Sequence, residues 1–576
     1  KAPPTVPFSE EDIDDPAQLA ARLNDPSADT RLGSARRLAD LGADANPAAP
    51  ALVAKLDDPD ERVRATVADA LAKTGPPAPA DVSCLARAVQ SGGPNARQYA
   101  LRFYAEPIRK LPEASVPDVV AALADPSAET RKLAVLVLGN YGPGCKRQAF
   151  AALFERVADD DPAVAAEAAK VLDSFAPLDD ADRAVLVKNL AHEKPLLRLL
   201  AVQLLTPAAP DAATALKWFR PRLSDDDPRV RAKAVAGIAK WGPAAKDAMP
   251  ELLARTRDAN PETAAAAVRA VGQVGGARAT VSHLDRLLVA PDTPAEVRDA
   301  AAETILALEL SDPVIDIPVL VRLSAAKKPQ TRVAALAKLA GFGKDAGRVL
   351  DTITARLKDD DAGVRAAALN ALAAIGPDAE DAIPEVARLL TPDEPEAVAL
   401  AAAGALGKLG PKAIDPLARA LAQKLPDAVL VQICDSLGGF GKAAQERGVP
   451  ALLDAFARQD ALRKRAYEAA SGVWEGKAWV PDPLSRALTR IGGDDLVAWL
   501  KERTKWSKSG GMKVAKYDRA IQFWAIVVIG AIDPATLSDA GKKAVAELLA
   551  FEAENDPEPA CKAAAKTGQA LYPPKK

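Results

Sequence analysis

The residue types that most often carry catalysis and metal binding are scarce in this sequence. It contains two histidines, His192 and His283. Its four cysteines are Cys84, Cys145, Cys434 and Cys561. They lie far apart, and no CxxC or Cys/His spacing typical of a zinc or haem site occurs. The sequence also lacks a GxSxG motif, a Walker loop and a strand-linked GxGxxG motif. No catalytic residue, cofactor or metal site is therefore predicted, and we expect a protein that is not an enzyme.

Three runs of three aspartates could in principle bind a cation. They occupy residues 159–161, 225–227 and 359–361. None has the twelve-residue spacing of a calcium-binding EF-hand loop, with its central glycine and terminal glutamate. Each run stands where a helix is expected to begin, and aspartate accepts hydrogen bonds from the free amides there. Helix capping is therefore the predicted role of these runs.

Aromatic and basic residues concentrate near the C-terminal end. Five of the seven tryptophans follow residue 473, and residues 501–519 contain seven basic side chains against two acidic ones. The candidate partner-binding residues are Trp499, Lys501, Arg503, Lys505, Trp506, Lys508, Lys513, Lys516 and Arg519. One interpretation is an atypical end repeat that covers the apolar face of a stack. The other is a docking site, because tryptophan and arginine are enriched in binding hot spots.

The elements that position these residues are predicted to be helices. Alanine and leucine dominate, only 4% of the residues are aromatic, and the alternating pattern of strands is absent. The 576 residues exceed the roughly 300 that one core supports. With 75 basic and 78 acidic residues, the net charge is −3, which argues against nucleic acid as a partner of the whole chain. No apolar run reaches about 18 residues, so no membrane span is expected.

A repeat of 33 or 34 residues, with one step of 31, runs through most of the chain. One position of this repeat, which we call the slot, recurs fourteen times. Ten of the fourteen slots hold an arginine: Arg31, Arg64, Arg97, Arg131, Arg198, Arg231, Arg298, Arg332, Arg365 and Arg463. The other four hold Ala165, Ala264, Ala399 and Leu430. Three residues after the slot stands alanine in eleven repeats, and seven after it a large apolar residue in thirteen. These positions, with the residue before the slot, are four apart and share one helix face. A small residue there lets neighbouring helices approach closely.

The ends of this helix are also visible in the sequence. Asp-Pro pairs are predicted to open it at residues 25–26, 58–59, 125–126, 161–162 and 227–228. Glycine is predicted to close it at Gly42, Gly75, Gly142, Gly242, Gly343, Gly376 and Gly410. A shorter apolar segment precedes each opening, for example residues 50–56 and 117–123. Each repeat is therefore a helix pair, and one pair alone cannot bury its apolar face, so neighbours must stack.

The pattern D-P-x-x-V-R-x-x-A-x-x-A-L-x-x-L-G resembles the HEAT repeat, in the short subtype found in bilin lyases, over roughly residues 16–473. The resemblance implies an all-α, right-handed α-solenoid, or superhelix, of about fourteen helix pairs. It further implies that the second helices line the concave surface and that Asp and Arg form a ladder between neighbouring repeats. The ladder is expected at the ten arginines and is interrupted at the four slots that lack one.

Three regions are predicted: a flexible Pro- and acid-rich tail at 1–15, the solenoid at 16–473, and a Trp-rich, locally basic helical cap region at 474–576. Within the last region we expect an exposed loop at 507–511 and helices at 516–532, 538–551 and 559–571. The tail would suit a mature chain after removal of a signal peptide. A secreted or periplasmic location is therefore expected, with a cytoplasmic one as the alternative.

The expected function is a non-catalytic scaffold that binds protein partners of unknown identity inside a larger assembly. The binding surface would be the solenoid, and the C-terminal Trp/basic region could add to it. Two alternatives remain open at this point. One is a HEAT-family enzyme, such as a bilin lyase or a DNA glycosylase, and the other is nucleic-acid binding through residues 499–519.

Overall fold

The computed structural model describes residues 14–107, 109, 111–474, 480–509, 512–515 and 519–573. For residues 277–279, 471–474, 506–509 and 512–515 this description covers the backbone. The predicted tail at 1–15 lies outside the described residues except for its last two positions. The chain divides into two compact units, residues 1–274 and 275–576, and each unit is described by itself.

The first unit is all-helical in its described part. Its α-helices are α1 (Pro16–Arg22), α2 (Ala28–Leu41), α3 (Ala49–Ala54), α4 (Glu61–Thr74), α5 (Ser83–Ser91), α6 (Pro94–Ala105), α7 (Val116–Ala122), α8 (Ala128–Tyr141), α9 (Lys146–Arg156), α10 (Pro162–Ser174), α11 (Asp180–Asn189), α12 (Pro195–Ala208), α13 (Ala212–Phe219), α14 (Pro228–Ala239), α15 (Met249–Arg255) and α16 (Pro261–Val274). Short 3₁₀ helices lie at Gly42–Ala48, Glu113–Ser115, Gly142–Cys145, Arg220–Ser224 and Gly242–Ala248.

The second unit continues the same alternation and then adds a different C-terminal part. Its α-helices are α17 (Ala277–Val289), α18 (Ala295–Ala307), α19 (Pro313–Leu323), α20 (Pro329–Gly341), α21 (Leu350–Ala355), α22 (Ala362–Ile375), α23 (Ile383–Arg388), α24 (Glu396–Leu409), α25 (Ile414–Ala420), α26 (Asp427–Gly439), α27 (Gly448–Arg458), α28 (Asp460–Trp474), α29 (Pro483–Ile491), α30 (Asp494–Arg503), α31 (Arg519–Ala531), α32 (Asp539–Asn555) and α33 (Pro559–Gly568). Its 3₁₀ helices lie at Gly343–Val349, Arg356–Lys358, Gly376–Ala382, Pro411–Ala413, Gly441–Ala444 and Pro534–Thr536.

Helices α1 to α28 form fourteen consecutive pairs. In each pair the odd-numbered helix comes first, and the even-numbered helix that follows it is called the second helix. Each slot residue lies in an even-numbered helix. The prediction of a helical solenoid built from about fourteen pairs is therefore confirmed. Among the described residues, no helix is both long and apolar enough to cross a membrane.

The predicted packing column is buried in all fourteen pairs. The residue three positions after the slot has no measurable exposure at Ser34, Val67, Ala100, Ala134, Ala168, Ala201, Ala234, Ala267, Ala301, Ala335, Ala368, Ala402, Ile433 and Ala466. The column seven positions after the slot is buried as well, from Leu38 to Leu437. Because these side chains stack on one face, each second helix buries the same stripe against its neighbours.

The predicted helix ends are confirmed at the C-terminal side and partly wrong at the N-terminal side. All seven predicted glycines have positive φ, from +51° at Gly242 to +118° at Gly410, the backbone conformation that favours glycine. Asp161 and Asp227 cap α10 and α14 as predicted. At the other three Asp-Pro pairs the helix starts later, and its cap is Ser27, Asp60 or Ser127.

The C-terminal part departs from the simple alternation. Helix α29, not α28, packs along α26 in the manner of a second helix, while α28 packs mainly against α31. Helix α29 also has the repeat's start and stop signals, with Asp482 as its cap, Pro483 at its first position and Gly492 (φ +61°) after its end. Three of the later helices, α31 to α33, confirm the three helices predicted there.

A small β-hairpin lies between α30 and α31. Strand β1 (Trp506–Ser509) pairs antiparallel with β2 (Met512–Ala515), with Trp506 opposite Ala515 and Ser509 opposite Met512. The prediction of a loop at 507–511 was therefore wrong for its strand residues. Pairing of Trp506–Ser509 with Met512–Ala515 gives the backbone groups of both segments hydrogen-bond partners.

Candidate interaction sites

Among the described residues, seven ion pairs join a slot arginine to a carboxylate of the next repeat, and we call these seven the ladder. They are Arg31–Asp58, Arg97–Asp125, Arg131–Asp159, Arg198–Asp225, Arg231–Asp258, Arg332–Asp359 and Arg365–Glu394. Each joins residues 27 to 29 positions apart. The arginine stands in a second helix, and the carboxylate stands in the turn before the next second helix.

The geometry of a ladder pair is illustrated by Arg131. Its Nε and Nη2 donate to the two carboxylate oxygens of Asp159 at 2.9 and 2.7 Å. Its Nη1 donates to the backbone oxygens of Asp125 and Pro126 in its own turn. The planar guanidinium matches a carboxylate in this two-pronged arrangement. One arginine therefore fixes the turn of its own repeat and the turn of the next one.

The ladder aspartate has a second role that the sequence interpretation missed. Asp159 accepts a hydrogen bond from the amide of Asp161, and Asp161 in turn accepts from the amides of Ala163 and Val164. The same division holds for Asp225 with Asp227 and for Asp359 with Asp361. In each aspartate run the first residue binds arginine and the third caps the helix.

Burial and hydrogen bonding oppose each other at the ladder aspartates. Burial alone would raise the pKa of Asp58, Asp159, Asp258 and Asp359. The hydrogen bonds and positive charge of the facing arginine, with the backbone amide two residues on, outweigh that effect and hold each pKa below its ordinary value. These aspartates are therefore ionised at neutral pH and serve the structure.

The remaining slot arginines have other surroundings. Arg64 donates to the backbone oxygens of Asp58 and Pro59, and the position that would supply its carboxylate is Ser91. Arg298 is half-buried beside a cavity and faces a position held by Ala326. Arg463 pairs with Asp460 of its own helix. Arg486 of α29, which the sequence interpretation did not single out, binds Asp435 of α26 at 2.7 Å.

The ladder coincides with close packing of second helices. The ladder pairs join α2 to α4, α6 to α8, α8 to α10, α12 to α14, α14 to α16, α20 to α22 and α22 to α24, and all of these helices pack closely. Helices α4 and α6, and likewise α10 and α12, approach less closely, and no ladder pair joins them. Helices α24 and α26 are close without one, helped by a hydrogen bond from the Ser436 hydroxyl to the Ala403 backbone oxygen.

The C-terminal tryptophans form an aromatic cluster. Trp524 is fully buried, stacks on Phe456 at 4.4 Å between ring centroids, and meets Trp499 edge-on at 6.3 Å. Its indole donates to the hydroxyl of Ser485, which donates to Asp482. Burial raises the pKa of Asp482. This cluster holds α27, α29, α30 and α31 together, as an end cap requires.

Part of the predicted docking segment lies at the surface. The guanidinium of Arg503 sits 3.2 Å from the ring centre of Trp499, a cation–π contact. Both residues line a groove of about 500 Å³ between α27 and α30. Lys501 and Lys505 are exposed, and Lys505 pairs with Glu502. This groove is the surface at which a partner could reach the predicted residues.

The other predicted docking residues are not brought to this groove by the described structure. Arg519 binds Gln522 at 2.8 Å and lies 4.0 Å from the buried Asp556, with 35% of its side chain exposed, so it contacts the cap at the start of α31. For Trp506, Lys508 and Lys513 the description covers the backbone of the hairpin, and Lys516 lies outside the described residues, as does Trp479.

The described structure gives His192 and the four cysteines structural surroundings. His192 accepts from the amide of Lys194 and lies 3.4 Å from Glu155. All four cysteines are free thiols and buried, and burial raises their pKa, to about 11 at Cys145. A thiol in that state is a poor nucleophile. Within the described residues, no group of three or more His, Cys, Asp or Glu side chains could hold a metal ion.

Alternating helix pairs, an alanine-centred packing face and a ladder between neighbours define an α-solenoid. The sequence matches the family described as HEAT repeats at residues 16–103, 116–206, 216–306 and 317–396, which is more than half of the chain. The chain therefore belongs to the HEAT-repeat family. None of the curated proteins compared with the sequence matches it significantly.

Solved structures similar to this chain include two of Kap95p and one of Kap121p. Kap95p, in a structure concerned with its binding to RanGDP, is 14% identical, with 97% of this chain and 84% of that chain covered and a TM-score of 0.47. Yeast importin-beta (Kap95p) is 12% identical, with 97% and 88% covered and a TM-score of 0.34. Kap121p is 14% identical, with 90% and 68% covered and a TM-score of 0.36. No partner is inferred from these similarities.

Proposed function

We propose that this chain is a non-catalytic scaffold that binds protein partners along the exposed faces of its helix pairs. The observation that supports this most directly is the reach of the ladder. Every ladder pair joins residues 27 to 29 positions apart, so it connects successive repeats and covers no outer face. Solenoids of this kind bind partners with the extended surfaces that stacking leaves open.

The chemistry of the described side chains supports the non-catalytic part of the proposal. Perturbed carboxylates such as Asp58 and Asp159 are engaged by arginine and by backbone amides, and the buried thiols have raised pKa values. An active site usually keeps a perturbed group in a cleft, ready for a substrate. Here the carboxylates with lowered pKa hold repeats together, and the thiols are buried.

The C-terminal groove is the proposed contact surface among the predicted residues. Trp499 offers a half-buried ring already paired with Arg503, and Lys501 and Lys505 stand exposed on the same helix end. Aromatic and arginine side chains at a partly enclosed site carry much of the energy in protein interfaces. Cap and docking surface are compatible here, because one side of the aromatic cluster is buried and another faces the groove.

Cross-linking of the native protein, followed by mass spectrometry, tests the scaffold. We expect cross-links from Lys501 or Lys505 to a second protein, and loss of the cross-links from other lysines to that same protein in the double variant Lys501→Glu, Lys505→Glu. The matched control is Lys188→Glu, an exposed lysine in the other unit. A native protein that remains a monomer without any cross-linked neighbour would contradict the proposal. If the double variant keeps its cross-links to a partner, the C-terminal groove is not a contact surface, and that part of the proposal is wrong.

A further inference from the structure

Arg298 is a slot arginine without the carboxylate that seven other slot arginines bind. Arg298 stands in α18, and the residue that would face it in the next repeat is Ala326. In the part of the chain that the structure describes, the Arg298 side chain has neither a hydrogen bond nor an ion pair. Arg231, in an ordinary slot, binds Asp258 through Nε and Nη2 at 2.9 and 2.6 Å.

The backbone shows that Ala326 occupies the ladder position. Its amide donates to the oxygen three residues before it, as the amides of Asp58, Asp225 and Asp359 do. Its backbone carbonyl accepts a hydrogen bond from Nη1 of Arg332, just as the backbone carbonyl of Asp225 accepts one from Nη1 of Arg231. The turn therefore has the shape of a ladder turn and lacks only the carboxylate.

A cavity of about 460 Å³ opens at this position. Its charged lining residues are Arg298, Arg322, Lys327, Lys328 and one aspartate, Asp299. Lys328 pairs with Asp299 at 2.7 Å, and Arg322 pairs with Asp285. No ion pair involves Arg298 or Lys327 among the described residues. The cavity therefore holds positive charge that the chain itself leaves unneutralised.

A second cavity, of about 350 Å³, is also lined by Ala326. Arg332, Arg356 and Lys358 line it, together with Asp359 and Asp360. Nε of Arg332 and Nε of Arg356 are buried without a hydrogen-bond partner. Buried donors of this kind usually have one, because leaving them unsatisfied is costly. Across both cavities, seven basic side chains face three acidic ones in a chain whose net charge is −3.

We propose that the two cavities beside Ala326 bind an acidic segment of a protein partner. A carboxylate of that segment takes, against Arg298, the position that a ladder aspartate takes elsewhere, and a second acidic side chain meets Arg356 and Lys358. This inference rests on the proposed scaffold function and names one of its contact sites and the chemistry of the segment bound there.

The observations favour a protein carboxylate over a nucleic acid. The vacant position, three residues before α20 begins, is the one that the same fold fills with Asp258 before α16 and with Asp359 before α22. Arginine binds a carboxylate in this two-pronged manner. Asp299, Asp359 and Asp360 line the cavities and would repel the continuous charge of a phosphate backbone, whereas a peptide spaces its charges.

Binding of a labelled peptide to the full chain tests the site. The probe is a fluorescein-labelled peptide of alternating Glu and Gly, with a Gln/Gly peptide as its neutral counterpart, measured by fluorescence anisotropy. We expect the Glu peptide to bind and the Gln peptide not to bind. The variant Ala326→Asp supplies the missing carboxylate from within the chain, so it should weaken binding at least tenfold and raise the melting temperature. Arg298→Gln should weaken binding without that stabilisation.

The matched control is His192→Asp. His192 occupies the same turn position, with the same backbone hydrogen bond, but the slot facing it is Ala165. We expect His192→Asp to bind the peptide like the unchanged protein. Equal loss of binding in Ala326→Asp and His192→Asp would overturn the proposal, because charge alone would then explain it. Absence of Glu-peptide binding at low salt would also overturn the proposal. So would tighter binding of a single-stranded oligonucleotide or of inorganic phosphate, if Ala326→Asp leaves that binding unchanged. None of these failures bears on the scaffold, which the cross-linking result decides.

Discussion

Arg231 and Asp258, which lie 27 residues apart, bind each other through two hydrogen bonds of 2.9 and 2.6 Å. Both side chains are nearly buried, with 13% and 3% of their surface exposed. The pair joins α14 to the turn before α16. It also positions the amide of Asn260, which donates to Asp258 at 3.0 Å. One interaction therefore links a helix of one repeat to the turn that precedes the second helix of the next.

Removing the carboxylate of this pair should loosen the junction between the two repeats. We expect Asp258→Asn to cost about 3 kcal/mol, the range for removing one partner of a buried ion pair. Hydrogen–deuterium exchange should show the loss as faster exchange in α14 and α16. The control Asp226→Asn changes an exposed aspartate nearby and should leave exchange unchanged. Equal protection in both variants would show that the ion pair does not stabilise the junction.

Acid should weaken the ladder. The pKa of Asp258 is lowered from its ordinary 3.8, so its contribution is complete above that value and is lost as the pH falls through the lower folded-state pKa. The difference in melting temperature between the unchanged protein and Asp258→Asn should therefore be largest near pH 7 and shrink below about pH 4. A difference that stays constant down to pH 2.5 would contradict the assigned ionisation.

Asp482 should show the opposite pH dependence. Burial raises its pKa above 3.8, so its folded-state contribution is present at low pH and is lost as the pH rises through the raised pKa. Asn at this position can still accept from the amides of Leu484 and Ser485 but cannot ionise. The melting temperature of Asp482→Asn relative to the unchanged protein should therefore increase from pH 3 to pH 7. A relative decrease over that range would show that the ionised carboxylate is favoured.

Two glycines in the C-terminal part make α31 and α33 touch. A Cβ added at Gly530 would lie 2.9 Å from Cα of Gly568, closer than packed carbons approach. We expect Gly530→Ala to destabilise the cap by about 2 kcal/mol through overpacking. Gly341→Ala, at the end of α20 with nothing within 4 Å, should instead stabilise by about 0.5 kcal/mol. Thermal unfolding followed by circular dichroism measures both, and equal effects would rule out the contact as the cause.

The repeat made most of the fold predictable, because the fully buried column and the left-handed glycines recur at fixed offsets from a visible residue. Ala134 and Gly142, for example, were identified from the spacing alone. The displacement of α28 was not predictable in this way, because Arg463 stands at the expected distance from Leu430 although α29 packs along α26. The Asp482-Pro483 pair and Gly492 carried the signal for α29.

The candidate sites were less predictable than the fold. Whether an arginine belongs to the ladder depends on a residue 27 to 29 positions later, so Arg64 and Arg298 look ordinary until Ser91 and Ala326 are compared with the aspartates of other turns. Arg519 was grouped with the surface cations because it is near them in sequence. In the structure its side chain meets Gln522 near the buried Asp556, a contact that sequence proximity does not reveal.

The ladder also bears on how such a chain can change its length. Arg97 binds Asp125 through Nη1 and Arg131 binds Asp159 through Nε and Nη2, and both arginines stand at the same position of their helices. If residues 98–131 were excised, Arg97 would stand where Arg131 had stood and could meet Asp159. Neighbouring repeats are thus interchangeable at their junctions. A gene for this protein can gain or lose one repeat by recombination, and the ladder pairs between the remaining repeats stay chemically intact.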